Sequence, residues 1–360
     1  MEQTDDKDQV EMKVNEVTTF SVPLALGEIK NNITITTNSD SKLSKEQIIN
    51  QGIKFHQQGD IKKASKYYQY FINQNYKDHR VFANYGIILK NLGKLQEAEI
   101  STRKAIEIKP DYAEAHSILG MILKDIGYLD EAELSLRNAI KIKPDYAEAY
   151  SNIGLILKDI GRLQEAEKST RKAIKIKPDY AVAYSNLGTI LRDLRKSKDA
   201  EISIRKAIKI KPNLAQAHYN LGIILQDLGN LKEAEVSTRK AIKIKHDFAN
   251  AHLNLGTILK ELGNEKDAIK HNSLALEIEP NNICYYASCK LRLSPIVNNV
   301  KQIYTERKEY QRQIKKISNY QDFYYESTTS LNTNIFYLAY QNRLDDKVIL
   351  EELSNTISKV

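Results

Sequence analysis

From residue 79 to residue 282 the apolar positions of the chain recur every 34 residues. In the unit 147–180, Tyr150, Ile153, Gly154 and Leu157 fall at i, i+3, i+4 and i+7, the spacing of one helical face. Leu163, Ala166, Ala173 and Ile174 mark the inner face of a second helix, and Gly161 lies between the two. A residue just past a helix C-cap often needs positive φ, so Gly161 is expected to stop the first helix. Pro178 is expected to open the next turn. The small residues Gly154, Ala166 and Ala173 would let the paired helices approach closely. A hairpin this short cannot cover its own apolar face, so each unit should be stable only against its neighbours.

The period holds over six copies. Gly86, Gly120, Gly154, Gly188, Gly222 and Gly256 keep it, as do Ala98, Ala132, Ala166, Ala200, Ala234 and Ala268. Pro110, Pro144, Pro178, Pro212 and Pro280 close their units, with His246 standing in once. The repeats are 79–112, 113–146, 147–180, 181–214, 215–248 and 249–282, and a degenerate unit at 45–78 keeps Gly52, Gly59 and Ala64 in register. In 181–214, Tyr184, Leu187, Gly188, Leu191, Ala200, Ile204, Ala207 and Pro212 occupy the positions of the tetratricopeptide repeat (TPR), and the chain resembles that family. Departures are modest: the first aromatic position holds Phe82, His116, Tyr150, Tyr184, His218 and His252, and Thr102, Thr170 and Thr238 replace a bulky residue of the second helix. Arg195 stands where the other units have a hairpin glycine. The resemblance implies an all-α fold, a right-handed superhelical solenoid of six regular repeats and one degenerate one, followed by a small helical or mixed C-terminal segment.

In this family the first helices line the concave side, which implies a groove for a protein or peptide in extended conformation. Position 6 of each unit would face it, with Asn84, Ile118, Asn152, Asn186, Asn220 and Asn254. A similar asparagine ladder grips the peptide backbone in the TPR superhelix of the O-linked N-acetylglucosamine transferases. An amide donates and accepts, so it can pair with a peptide C=O and N–H; the competing reading is a local structural role. Position 12 adds Lys90, Lys124, Lys158, Arg192 and Lys260, with Gln226 as the exception. Position 13 adds Asp125, Asp159, Asp193, Asp227 and Glu261. Such neighbours would give a groove of paired signs. The carboxylate clamp of some TPR proteins needs lysine and asparagine where this chain has Ala83, Ile87, Ser117 and Met121, so that ligand class is not expected.

Charge and composition change this picture little. A net charge of +8 invites a nucleic-acid partner. Much of the excess, however, lies near the ends of second helices, as in Arg171, Lys172, Lys175 and Lys177 and their equivalents Arg239, Lys240, Lys243 and Lys245. Cations there complement the helix dipole, and no aromatic residue is interleaved to stack on bases. Nucleic acid is therefore not expected. His116, His218 and His252 sit at the repeat's aromatic position, and His56, His79, His246 and His271 lack a partner at catalytic spacing. With no phosphate loop, dinucleotide loop, nucleophile elbow or zinc motif, neither catalysis nor a cofactor is expected. Cys284 and Cys289 read as reduced thiols, which, with no apolar run of membrane-spanning length and an acidic N-terminus, suggests a cytoplasmic protein.

The ends lack the period. Residues 1–44 read as mostly disordered, with a short hairpin or a docking strand expected between Thr18 and Thr37. Residues 283–293 should make a capping helix, and residues 294–360 a helix from Asn299 to Ile317, a linker, an apolar strand-like run from Asn334 to Tyr340 and a last helix from Asp345 to Ser358. That last stretch resembles the junction between repeats and catalytic lobes in bacterial glycosyltransferases of the O-linked N-acetylglucosamine transferase and SPINDLY kind. The resemblance implies an alternative role, the recognition half of such an enzyme with its catalytic domain missing or on another chain.

Overall fold

The computed structural model describes residues 43–291, 300–318, 349–351 and 354–355. The described residues are helical, without strands, and each 34-residue unit is one antiparallel helical hairpin. The degenerate unit forms α1 (Lys45–Gln57) and α2 (Ile61–Asn73). The six regular units pair a first, or A, helix with a second, or B, helix. They are α3 (His79–Asn91) with α4 (Leu95–Ile108), α5 (Ala113–Ile126) with α6 (Leu129–Ile142), and α7 (Ala147–Asp159) with α8 (Leu163–Ile176). Then come α9 (Ala181–Asp193) with α10 (Ser197–Ile210), α11 (Ala215–Asp227) with α12 (Leu231–Ile244), and α13 (Ala249–Glu261) with α14 (Glu265–Ile278).

The chain divides into two compact units, Met1–Asp179 and Tyr180–Val360, at a repeat boundary. A repeat array has only nearest-neighbour interfaces, so it separates between hairpins. In the first unit α3 lies beside α5 and α5 beside α7, and α4 and α6 pack on the A helix that follows each of them. In the second unit α9 lies beside α11 and α11 beside α13, with the same B-to-A packing. Within each unit the A helices therefore form the tighter face.

The hairpin's close approach explains its small residues. Ala98, Ala105, Ala132, Ala139, Ala166 and Ala173 are all fully buried. A Cβ added to Gly120 would sit 2.7 Å from Leu136 Cγ and 3.1 Å from the Ala132 carbonyl oxygen, so the two helix backbones meet there with no room for a methyl. The hairpin turn needs a left-handed residue: Gly161 has φ 80°. In the unit 181–214 Arg195 takes that place at φ 59°, so the chain keeps the turn and carries the strain of a side chain there.

At the end of the array Asn282 caps α15 (Ile283–Lys290) by accepting the Cys284 N–H at 3.0 Å. Its Tyr285, Tyr286 and Ala287, with Leu291, are buried with Tyr310, Ile314 and Ile317 of α16 (Val300–Ser318) in one apolar cluster. The Tyr286 hydroxyl donates to Gln313 Oε1. Cys284, buried, and Cys289, half-buried, form no disulfide among the described residues. Residues 1–42 and the strand-like run 334–340 lie outside the described residues, and the last expected helix is described only at 349–351 and 354–355, which are helical.

Candidate functional site: the A-helix face

The position-6 asparagines do not form a uniform ladder open to a ligand. Asn152 Nδ2 donates to Ser117 Oγ at 3.4 Å, and Asn220 Nδ2 donates to Ser185 Oγ at 3.1 Å. In both, position 6 of one repeat reaches position 5 of the repeat before it. Asn220 Oδ1 also accepts from Gln216 Nε2 at 3.0 Å, and the residue is buried. Asn254 follows a repeat with Tyr219 at position 5 and bonds elsewhere, donating to Gln226 Oε1 at 2.9 Å and accepting from Thr238 Oγ1 at 3.1 Å. Asn186 is half-buried, and its backbone carbonyl accepts from the Thr189 hydroxyl at 2.8 Å.

Asn84 is a correction to the expected groove. It is fully buried, and neither its Oδ1 nor its Nδ2 has a hydrogen-bond partner. Position 5 of the preceding unit is Ile49, which offers no side-chain acceptor, and both residues are buried. One repeat later the same pair of positions holds Ala83 and Ile118, both in that apolar cluster. The position-5 column was the missed signal: serine there marks an asparagine bound to a neighbouring repeat.

The charges pair across repeats. Lys90 Nζ lies 2.7 Å from Asp125, Lys124 Nζ 3.1 Å from Asp159, and Arg192 Nε 2.5 Å from Asp227. Gln226 Nε2 keeps the pattern with Glu261 Oε1 at 2.6 Å. Each of these four donors thus reaches the position-13 acid of the next repeat, 35 residues on. Lys158 Nζ lies 3.2 Å from its own neighbour Asp159, and Asp193 is exposed on α9. These partly exposed pairs contribute little stability, roughly 0–1 kcal/mol each, but they fix alternating charge on the A-helix face.

Between the two rows lies a third, which includes the clamp positions Ile87 and Met121. Position 9 holds Ile87, Met121 and Leu155 in the first unit and Thr189, Ile223 and Thr257 in the second, all half-buried. They stand three residues after position 6 and three before position 12, on the same helical face. The A-helix face thus carries aliphatic position-9 side chains in the first unit and two threonines about Ile223 in the second, with the half-buried amides of Asn152, Asn186 and Asn254 on one side and the position-12 charges on the other. Ala83 and Ser117, at the clamp positions, are buried.

The histidines at the aromatic position are structural. His116 Nε2 lies 2.9 Å from the Pro110 carbonyl oxygen, and His218 Nε2 lies 2.9 Å from that of Pro212. Each ties an A helix to the turn before it. His252 Nε2 faces the His246 carbonyl at 3.3 Å, so it donates there and its Nδ1 accepts from His271 Nδ1 at 2.9 Å. Burial and the His252 neighbour hold His271 down to about 4. Burial alone holds His56 down to about 4, and neither of its ring nitrogens has a hydrogen-bond partner. Among the described residues no group of three or more His, Cys, Asp or Glu could hold a metal ion, and no helix is long and apolar enough to cross a membrane.

Tetratricopeptide-repeat family models match residues 79–112, 181–214 and 249–282, residues 147–180 and 215–248, and residues 120–161, together more than half of the chain. A comparison with curated proteins gave no match. Several solved structures are similar to the chain. MamA is 26% identical over 45% of this chain and 95% of its own, with a TM-score of 0.38. YrrB, described as a TPR protein with an unusual peptide-binding site, is 23% identical over 50% of this chain and 93% of its own, with a TM-score of 0.36. The Cut9–Hcn1 hetero-tetramer of the APC/C is 17% identical over 62% of this chain and 44% of that one, with a TM-score of 0.56, a likeness of fold alone. No glycosyltransferase is among these matches, and the kinship expected from the C-terminal segment finds no support in them. On its repeats, their period and their helical hairpins, the chain belongs to the tetratricopeptide-repeat family.

Proposed function

We propose that the chain is a non-catalytic protein-interaction scaffold that holds an extended polypeptide along its A-helix face. The observation that carries this reading is the half-buried position-9 row set between the amides of position 6 and the ion pairs of position 12. An extended peptide alternates its side chains, so it can present apolar groups to Ile87, Met121, Leu155 and Ile223 and polar groups to the rows beside them. The amides of Asn152, Asn186 and Asn254 are half-buried and supply the polar edge, as do Lys124, Lys158, Arg192, Asp159, Asp193 and Asp227. Asn220 serves the scaffold more than the ligand, and Asn84 serves no ligand. We propose a cytoplasmic location, the setting in which Cys284 and Cys289 would stay as thiols.

The test is a peptide selected from a random display library against the whole chain. Met121→Asp and Leu155→Asp together should weaken its binding at least tenfold while thermal unfolding stays within a few degrees. Unchanged affinity in that variant would place the site off the A-helix face.

A further inference from the structure

The B helices of the second unit carry a feature that the groove does not use. On α10, Lys198, Ile202, Lys206 and Lys209 fall at i, i+4, i+8 and i+11, all exposed, on the face opposite the buried Ala200, Ile204 and Ala207. On α12 the same positions hold Lys232, Val236, Lys240 and Lys243, again all exposed, opposite Ala234, Thr238 and Ala241. Ile202 is 67% and Val236 68% exposed, among the most exposed large aliphatic residues described.

The charge on these two helices is uncompensated. They carry eight cations and four carboxylates. Arg205 pairs with Glu201 and Glu233, and Arg239 with Glu235, which occupies three of the four acids. The six lysines around Ile202 and Val236 have no ion-pair partner among the described residues. The helix dipole accounts for Lys209 and Lys243 in the last turns. It disfavours Lys198 and Lys232, each the second residue of its helix. The equivalent face of α4 in the first unit is different, since Lys104 there is paired with Glu107 at 2.7 Å.

We propose that the outer face of α10 and α12 is a second docking surface, for an acidic polypeptide segment that carries aliphatic residues. The lysines would meet its carboxylates, and Ile202 and Val236 would seat its aliphatic side chains. Two aliphatic residues are too little apolar surface for a membrane-binding face, and neither helix exposes an aromatic ring on which a base could stack. This surface is independent of the A-helix groove.

The experiment is fluorescence anisotropy with the full chain at physiological salt. The probe is a labelled 20-residue peptide of alternating glutamate and leucine. The comparison probes are poly-glutamate of equal length, a poly-uridine oligonucleotide, and phosphatidylserine vesicles scored by flotation. The acidic–aliphatic peptide should bind at least tenfold more tightly than poly-glutamate. Lys206→Glu, Lys209→Glu, Lys240→Glu and Lys243→Glu combined should lower that affinity at least tenfold. Ile202→Ser with Val236→Ser, both surface changes that leave the buried face intact, should lower it several-fold. The proposal is overturned by no peptide binding, by equal binding of poly-glutamate, by indifference to either variant, or by preference for the oligonucleotide or the vesicles.

Discussion

A buried amide without a partner costs about 1–3 kcal/mol, and Asn84 is such a group. Asn84→Leu should therefore raise the unfolding free energy by about 1 kcal/mol or more in urea, since Ile118 already shows that position 6 accepts an aliphatic residue. A loss of stability would mean that the amide is satisfied in solution. Asn220 is the opposite case, with Ser185 as its donor's acceptor. A double-mutant cycle of Asn220→Ala and Ser185→Ala should give a coupling of about 1 kcal/mol. His56 sets a pH dependence. Its folded form is held neutral down to about pH 4, whereas the unfolded side chain takes a proton near 6.5. Stability from this residue is thus full above about pH 6.5 and falls as the pH drops towards 4, by on the order of 2 kcal/mol. His56→Leu should flatten that part of the curve, and an unchanged slope would assign it to other groups such as His271. The structural role of His116 and His218 was legible in the sequence because they replace the repeat's aromatic residue. The role of the asparagines was not, because one column of the repeat does not show what it faces; the serines of the adjacent column do.

At the scale of the helices the sequence pattern and the structure agree closely, because each boundary has its own chemistry. The turn after an A helix needs a left-handed residue, and glycine supplies it in every regular unit but one. Arg195→Gly should relieve the strain at φ 59° and stabilise the chain by about 0.5 kcal/mol, the steric relief offset in part by the entropy of glycine. Gly188→Ala tests the other constraint. Its Cβ would meet Ile204 Cδ1 at 2.4 Å and the Ala200 carbonyl oxygen at 3.2 Å, and repacking against a neighbouring backbone should cost about 1–3 kcal/mol. Thermal unfolding of the two variants should shift in opposite directions. The threonines at 102, 170 and 238 fit this scheme, each lying over a glycine of its own A helix.

Over the whole molecule, the repeat architecture follows from the 34-residue period, and the charge ladder follows from the offset between neighbouring repeats. That offset pairs residues 35 apart, as in Lys90 with Asp125 and Lys124 with Asp159, and no inspection of a single repeat displays it. The position-9 row was equally hard to read, since half-buried aliphatic residues on a helix look like core until the neighbouring helices are placed. Whether a polypeptide lies along the A-helix face is tested by site-specific photocrosslinking, with a benzophenone amino acid placed singly at Met121, Leu155 or Ile223 and, for comparison, at Ile100 or Leu134 on exposed B-helix positions of the first unit. With the library-selected peptide, crosslinks should form from the three A-helix sites and not from the two B-helix sites. Crosslinks from Ile100 or Leu134 with none from Met121, Leu155 and Ile223 would contradict the account.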